Sequence, residues 1–298
     1  MARKGIGMNM NLTANQISKQ YKDKKALNGV NLTLEQGKIY GLVGRNGAGK
    51  TTLLSILSAQ NPATSGEVML GTERVWENQK ALDQICFSRE LNTSAGSTTA
   101  AMKVKQYLKV AAMYYPNWDA EMAKHLLEVF EIDSKKQIIK LSKGMQSMVT
   151  IIVAMASKAA YTFMDEPTSG IDVVMREQFY KILLQEYTDT GRTFVISTHI
   201  IEEAADVFEE VIIVKNGELL LKENTQELVD RTCHVSGKAE DVDAATQGLE
   251  VHHVETMGRS KGVTVLLHEN QQVNTTYDVS VQPVSLQNVF VALCGNEA

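Results

Sequence analysis

Residues 44–51 have the pattern Gly-x-x-x-x-Gly-Lys-Thr, and these residue types are suited to holding phosphate groups. Glycines let successive backbone N–H groups curl around phosphate oxygens at the N-terminus of a helix. In such a loop the lysine, here Lys50, reaches the β- and γ-phosphates, and the hydroxyl of Thr51 binds Mg²⁺. In a chain of 298 residues the pattern arises by chance about once in a hundred sequences. It therefore predicts a nucleotide-binding site.

Two adjacent carboxylates at the end of an apolar segment are the next residues that could do chemistry. Residues 161–166 read Tyr-Thr-Phe-Met-Asp-Glu, and the end of a strand faces the crevice in which an open α/β sheet binds its ligands. There Asp165 can help to hold Mg²⁺ through water, and Glu166 can take a proton from an attacking water. By itself an Asp-Glu-Pro sequence is equally well explained by a solvated turn. The site hypothesis is favoured because a second apolar segment also ends in polar residues, at 197–199.

The elements that must position these residues are predicted from apolar periodicity. Residues 38–43 are nearly all apolar, which indicates a strand buried on both faces of a sheet, and this strand leads directly into the loop. Asn216-Gly217 is a turn pair that favours positive φ, so it predicts a hairpin over residues 211–221. Strands alternating with helices imply a largely parallel α/β core. The other predicted elements are strands within 11–43 and over 67–70, 161–165 and 193–197, and helices over 53–59, over 102–132 with a break at 116–117, after 141, and over 174–187.

Four segments, in this order, resemble the ATPase motifs of ABC proteins. The resemblance covers about residues 11–224, and it is specific because other phosphate-loop enzymes lack the signature segment and the switch histidine. It implies a P-loop NTPase core of the α/β class, the ABC ATPase fold, with a helical signature subdomain at about residues 88–158. The four segments are the phosphate loop at 44–52, Leu-Ser-Lys-Gly-Met at 141–145, Asp-Glu-Pro-Thr at 165–168 and His199.

The resemblance also implies which residues bind and hydrolyse ATP. Glu166, His199 and Lys50 correspond to the catalytic residues, and His199 matches the switch histidine that contacts the γ-phosphate. By the resemblance, Tyr21 matches the aromatic residue that stacks on adenine. Any base offers a π-face for such stacking, but a packed surface tyrosine is the alternative explanation. The ATP-binding positions implied in the phosphate loop are Gly44, Asn46, Gly47, Gly49, Lys50, Thr51 and Thr52.

A second ATPase subunit is implied by the signature segment. Ser142 and Gly144 match the residues that contact the γ-phosphate of ATP bound to the opposite subunit. A helix N-terminus aimed at that phosphate uses the same anion-binding physics as the phosphate loop. Asp172 matches the loop that links the two sites across a dimer. The partner predicted in this way is an identical or a different ABC ATPase chain.

By the same resemblance, Thr51 and Asp165 correspond to Mg²⁺ ligands.

Two segments of the chain depart from the family pattern. The usual signature is Leu-Ser-Gly-Gly-Gln, but Lys143 replaces the first glycine and Met145 the glutamine. This variant is similar to that of subunits in bacterial drug and peptide-antibiotic export systems, which favours export over nutrient import. The second departure lies in the loop that usually carries a Mg²⁺-sensing glutamine, where the best register places Glu90. As a carboxylate Glu90 can still reach Mg²⁺, so it is included among the predicted ligands.

Composition and charge restrict the remaining possibilities. The formal net charge of -5 argues against nucleic acid as a partner, because phosphate-backbone binding needs a basic face. The three cysteines are scattered without metal-like spacing, which indicates a reducing, intracellular compartment. No apolar run has the length needed to cross a bilayer. Short β-like runs predict a small α+β accessory domain over residues 225–298, with a terminal helix that docks Leu286, Val289 and Phe290.

The resulting hypothesis is an ATP-binding and ATP-hydrolysing subunit that uses ATP and Mg²⁺ to power export. Its second partner is a separately encoded integral membrane permease, which holds the subunit on the cytoplasmic, inner face of the membrane and carries the substrate specificity. The alternative is a soluble ABC ATPase acting on ribosomes, DNA or cofactor assembly, whose known forms carry paired ATPase units or long coiled-coil insertions. A GTPase switch is less favoured because the chain has no Asn-Lys-x-Asp element for base recognition.

Overall fold

The computed structural model describes residues 10–94 and 96–295 of the chain. The strands are β1 (Leu12–Tyr21), β2 (Lys24–Leu34), β3 (Ile39–Val43), β4 (Ser65–Leu70), β5 (Glu73–Arg74), β6 (Ile85–Ser88), β7 (Tyr161–Asp165), β8 (Thr193–Thr198), β9 (Glu210–Lys215), β10 (Glu218–Asn224), β11 (Thr232–Lys238), β12 (Glu250–Met257), β13 (Ser260–Leu266) and β14 (Val279–Pro283). The helices are α1 (Lys50–Leu57), α2 (Gln79–Leu82), α3 (Thr98–Ala101), α4 (Val104–Tyr114), α5 (Ala120–Val129), α6 (Lys143–Ala156), α7 (Val173–Thr190), α8 (Ile201–Ala204), α9 (Thr225–Asp230), α10 (Ala239–Ala245) and α11 (Leu286–Cys294).

The central sheet has six strands in the order β10-β9-β3-β8-β7-β6. All neighbouring pairs from β9 to β6 are parallel, and β10 joins at the edge as the antiparallel partner of β9. Every residue of β3 is buried. Alternate side chains point to opposite faces of the sheet, and both faces are covered. Tyr40 and Leu42 enter one hydrophobic cluster, whereas Ile39 and Val43 enter another. The predicted parallel core with a strand buried on both faces is therefore confirmed.

A second, antiparallel sheet covers one face of the central sheet, with the strand order β2-β1-β4-β5. Leu12 and Leu27 from this sheet share a cluster with Tyr40 of β3 and Leu53 of α1. Helix α1 begins at Lys50, three residues before the predicted start. The reason is Gly49, whose left-handed φ of 112° lets the loop turn directly into the first helical turn. The loop is thus fixed between two buried elements.

Helices α4, α5 and α6 lie over the other face and form the helical region. The predicted break at 116–117 is confirmed, since α4 ends at Tyr114 and α5 begins at Ala120. Leu108 of α4 and Leu126 of α5 are buried in one cluster with Met164 of the central sheet. The helical region is therefore packed on the strands that carry the candidate site.

The C-terminal part forms a third sheet with the order β12-β13-β11-β14. This sheet and α10 share a small cluster of valines at 235, 242, 263 and 265. Helices α9 and α11 behave differently, because Leu228, Leu286 and Val289 belong to the large cluster under the central sheet. The predicted docking of the terminal helix is confirmed, with Leu286 and Val289 buried and Phe290 half-buried against that cluster.

No helix within residues 10–94 and 96–295 combines the length and the apolar character that crossing a membrane requires.

Candidate functional site

The phosphate loop connects β3 to α1 and depends on its glycines. Gly47 and Gly49 have φ values of 81° and 112°, which L side chains rarely adopt. A Cβ at Gly44 would lie 2.5 Å from the carbonyl oxygen of Val214, and one at Gly49 would lie 2.8 Å from that of Ala26. Larger residues at these positions would fill the cradle or push neighbouring backbone away. The conformation of the loop therefore requires glycine at these positions.

Lys50 lies inside this loop and is only 7% exposed. Its Nζ donates a hydrogen bond of 2.6 Å to the carbonyl oxygen of Gly44. Burial lowers the pKa of Lys50, while the carboxylates of Glu166 and Asp165 act in the opposite direction. The side chain is thus directed back across the loop, beside the predicted carboxylates, where an incoming phosphate would replace a weak carbonyl partner with a charged one.

Asp165 and Glu166 lie where β7 ends, and the next strand holds both of them. The parallel register pairs Asp165 with Ser197 of β8. The Ser197 hydroxyl donates a hydrogen bond of 2.5 Å to Oδ1 of Asp165 and accepts one of 3.0 Å from the backbone N–H of Glu166. No role for Ser197 was predicted from the sequence. Its only sequence signal was its position at the end of a predicted strand.

Glu166 itself has a left-handed backbone, with a φ of 49°. A non-glycine residue in this region costs of the order of 1–3 kcal/mol, and such strain is found most often at functional sites. The side chain meets His199, whose Nδ1 lies 2.6 Å from Glu166 Oε2. The structure thus brings together Glu166, His199 and, through Ser197, Asp165.

The predicted Mg²⁺ ligands line a single cleft of about 670 Å³ between the central sheet and the helical region. Thr51 lies at the start of α1, Asp165 at the end of β7, and Glu90 in the segment after β6. One hydroxyl and two carboxylates are the oxygen donors that Mg²⁺ prefers. The chemical types of these donors therefore fit the ion, although no three His, Cys, Asp or Glu side chains of the described residues are grouped as a metal site.

The predicted signature residues lie at the start of α6. Ser142 is the N-cap of this helix, and its Oγ accepts a hydrogen bond of 3.2 Å from the backbone N–H of Met145. Gly144 lies so close to Gly170 that a Cβ would clash with the Gly170 carbonyl oxygen. Asp172 follows as the N-cap of α7 and accepts a hydrogen bond of 3.1 Å from the N–H of Met175. The signature segment thus packs against the turn at 170–172, which follows Asp165 and Glu166 in the chain.

Tyr21 ends β1 and is 44% exposed. Its hydroxyl accepts a hydrogen bond from Asn61 Nδ2, and Lys19 Nζ lies 5.0 Å from the ring centroid. These contacts fit both a packed surface tyrosine and a ring that stacks on a base. The prediction for Tyr21 therefore stays open, and binding measurements can decide it.

Comparison with known proteins gives a consistent result. The family model described as "ABC transporter" matches residues 27–169. The taurine import ATP-binding protein TauB of Shigella flexneri is 30% identical over 214 residues, which are 68% of this chain and 80% of that protein. The bacitracin transport ATP-binding protein BcrA of Bacillus licheniformis is 27% identical over 299 residues, covering 94% of this chain and 95% of that protein.

A solved structure described as the dimeric, post-hydrolysis state of an ATP-binding cassette bound to ADP and Pi has a similar fold. Its TM-score is 0.62 at 22% identity, and the match covers 72% of this chain and 98% of that one. This likeness agrees with the fold described above. The chain belongs to the ABC transporter family, as one of its ATP-binding subunits with ATPase activity.

Proposed function

We propose that this chain powers export through a separately encoded membrane permease. The observation that carries its catalytic part is the cluster of Glu166, His199, Asp165 and Ser197 beside the phosphate loop. The direction of transport is supported by the Lys-Gly-Met signature, and BcrA, matched over nearly its whole length, is a bacitracin transport protein. TauB, an importer, matches only 68% of this chain, so we give it less weight in inferring the direction of transport.

The proposed roles follow from the position of each side chain. Lys50 and the N–H groups of the loop bind the β- and γ-phosphates, and Tyr21 stacks on the adenine. Thr51, Asp165 and Glu90 hold Mg²⁺, which when bound supplies positive charge against the triphosphate. Oxygen donors at the mouth of one cleft support this assignment.

Glu166 acts as the general base that takes a proton from the attacking water. His199 is bonded to the same carboxylate, so it orients Glu166 and contributes its imidazole to the γ-phosphate region. Ser197 positions both Asp165 and Glu166 through one hydroxyl group. A prearranged, hydrogen-bonded cluster of this kind needs little rearrangement when charge develops during the reaction.

A second ATPase subunit completes each site in this proposal. Ser142 and Gly144 at the start of α6 contact the γ-phosphate of the ATP held by the other subunit, where the partial positive charge of the helix N-terminus favours an anion. Asp172 links the two sites. The residues that contribute lie in a proposed ATPase domain at 11–224, with its helical subdomain at about 88–158, and residues 225–298 form an accessory domain. The last three of these residues lie outside the described part.

The test of this function uses the native host, in which the permease is present. A strain lacking this chain is complemented with the wild-type chain or with Glu166→Gln, and the cellular accumulation of a panel of drugs and peptide antibiotics is measured. Export predicts higher accumulation without the chain, restored by wild type and not by Glu166→Gln. Lower accumulation of a compound without the chain would identify an importer instead. Glu177→Gln, which changes an exposed carboxylate of α7, is the matched control.

A further inference from the structure

Glu90 and Lys143, one residue from each of the two segments that depart from the family pattern, meet in the structure. Oε1 of Glu90 lies 3.6 Å from Nζ of Lys143. We propose that this ion pair is a switch: Glu90 is held either by Lys143 or by Mg²⁺ in the cleft, so that metal–nucleotide binding releases the start of α6. The inference rests on the proposed function and adds a regulatory contact to it.

In this proposal Glu90 has two alternative partners for one carboxylate. It lines the cleft with Thr51 and Asp165, which are the other oxygen donors predicted for Mg²⁺. A divalent cation and an ammonium group compete for the same negative charge. Binding of one must therefore weaken binding of the other, and thermodynamic linkage makes this effect reciprocal.

The pair can also break at little cost. The Lys143 side chain is 59% exposed and that of Glu90 is 73% exposed. Exposed ion pairs of this kind change an equilibrium constant by only about two- to fivefold. A buried pair would lock the cleft, whereas this one is weak enough to be exchanged for a metal contact.

Lys143 also lies within the signature segment at the start of α6. It stands between Ser142 and Gly144, and a Cβ at Gly170 would lie 3.2 Å from Lys143 Cγ. The same lysine thus contacts the turn that follows the carboxylates, while its ammonium group reaches Glu90. Release of the pair changes the charge presented by the signature segment, which the proposed function places against the second subunit's ATP.

The experiment measures binding of a non-hydrolysable ATP analogue to the full chain across a Mg²⁺ titration. Lys143→Met should lower the Mg²⁺ concentration for half-maximal binding by about two- to fivefold, because Glu90 loses its competitor. Glu90→Gln should raise that concentration. In the Glu90→Gln background, Lys143→Met should have no further effect. Lys124→Met, which removes an exposed lysine of α5, is the matched control and should behave as wild type.

Two outcomes would overturn the switch. If Lys143→Met shifts the titration equally in both backgrounds, the lysine acts by general charge repulsion and not through Glu90. If it causes no shift in the wild-type background, the pair has no influence on the metal. Lys143→Gln provides a second neutral variant if Lys143→Met folds poorly. Failure of the wild-type chain itself to bind the nucleotide would contradict the proposed function, which distinguishes the two failures.

Discussion

The two sides of the proposed ATP site are built differently. On the phosphate-loop side, Lys50 is buried in its loop, and the Ser197 hydroxyl bonds both the Asp165 carboxylate and the backbone N–H of Glu166. On the signature side, Lys143 reaches across to Glu90 of the metal cleft, in a longer contact between two exposed side chains. A buried and hydrogen-bonded arrangement keeps one geometry, whereas an exposed ion pair is exchanged easily. From this difference we expect substitutions on the first side to reduce turnover more than substitutions on the second.

The largest effect should come from Glu166→Gln on the phosphate-loop side. Removing a general base reduces turnover by roughly 10²–10⁴-fold, while the amide keeps the shape of the side chain and should leave ATP binding nearly unchanged. Steady-state phosphate release and equilibrium ATP binding measure the two quantities separately. Near-normal turnover in this variant would show that another residue acts as the general base. The phosphate-loop side would then not be the catalytic side.

Ser197→Ala should produce the next largest effect. Hydrogen bonds to charged groups contribute about 1.5–3 kcal/mol, so loss of the hydroxyl should reduce kcat by about 10- to 100-fold. Ser157→Ala is the matched control, because it removes a buried serine hydroxyl that bonds the Ala154 carbonyl at the end of α6. A Ser197→Ala enzyme as active as this control would show that the carboxylates need no support from β8.

Tyr21→Ala should have a smaller effect, limited to binding. Loss of a stacking ring weakens ATP binding by about 1–3 kcal/mol, and kcat at saturating ATP should stay the same. Tyr21→Phe keeps the ring and removes only the contact with Asn61, so it should bind ATP almost as wild type does. Equal affinities for all three proteins would assign Tyr21 to surface packing.

The same contrast explains how much could be predicted from the sequence. The strand, loop and helix around residues 44–52 were predictable because local glycines and a short apolar run determine them. The role of Ser197 was not predictable from the sequence. It arises from the parallel register of β7 with β8, and residues distant in the chain determine that register together. The contact between Glu90 and Lys143 also depends on how the helical region packs, and no local pattern reports it.

The C-terminal region shows the same limit. Its α+β character followed from alternating runs, and residues 235, 242, 263 and 265 form a small core of its own. Leu228 and Leu286, however, are buried in the large cluster with strands of the central sheet. A proposed boundary at residue 225 follows the change in sequence texture, but it divides this shared cluster. The apolar pattern of a short helix cannot tell which core will bury it.

The central claim is that the two sides act together only across two subunits, and mixed dimers test it most directly. The Lys50→Ala chain and the Ser142→Arg chain should each be inactive alone. In their heterodimer both lesions fall in one site, and the other site keeps an intact Lys50 and an intact Ser142. ATP turnover is measured after mixing, at protein concentrations that populate the dimer.

Two controls accompany the measurement. Subunit exchange is shown independently with differently tagged chains, and a heterodimer of wild type with Lys50→Ala, which has one intact site, establishes the activity to expect. We predict that mixing the two inactive chains restores turnover towards the level of this control. If the heterodimer forms and the control is active, continued inactivity of the mixture would contradict the shared site.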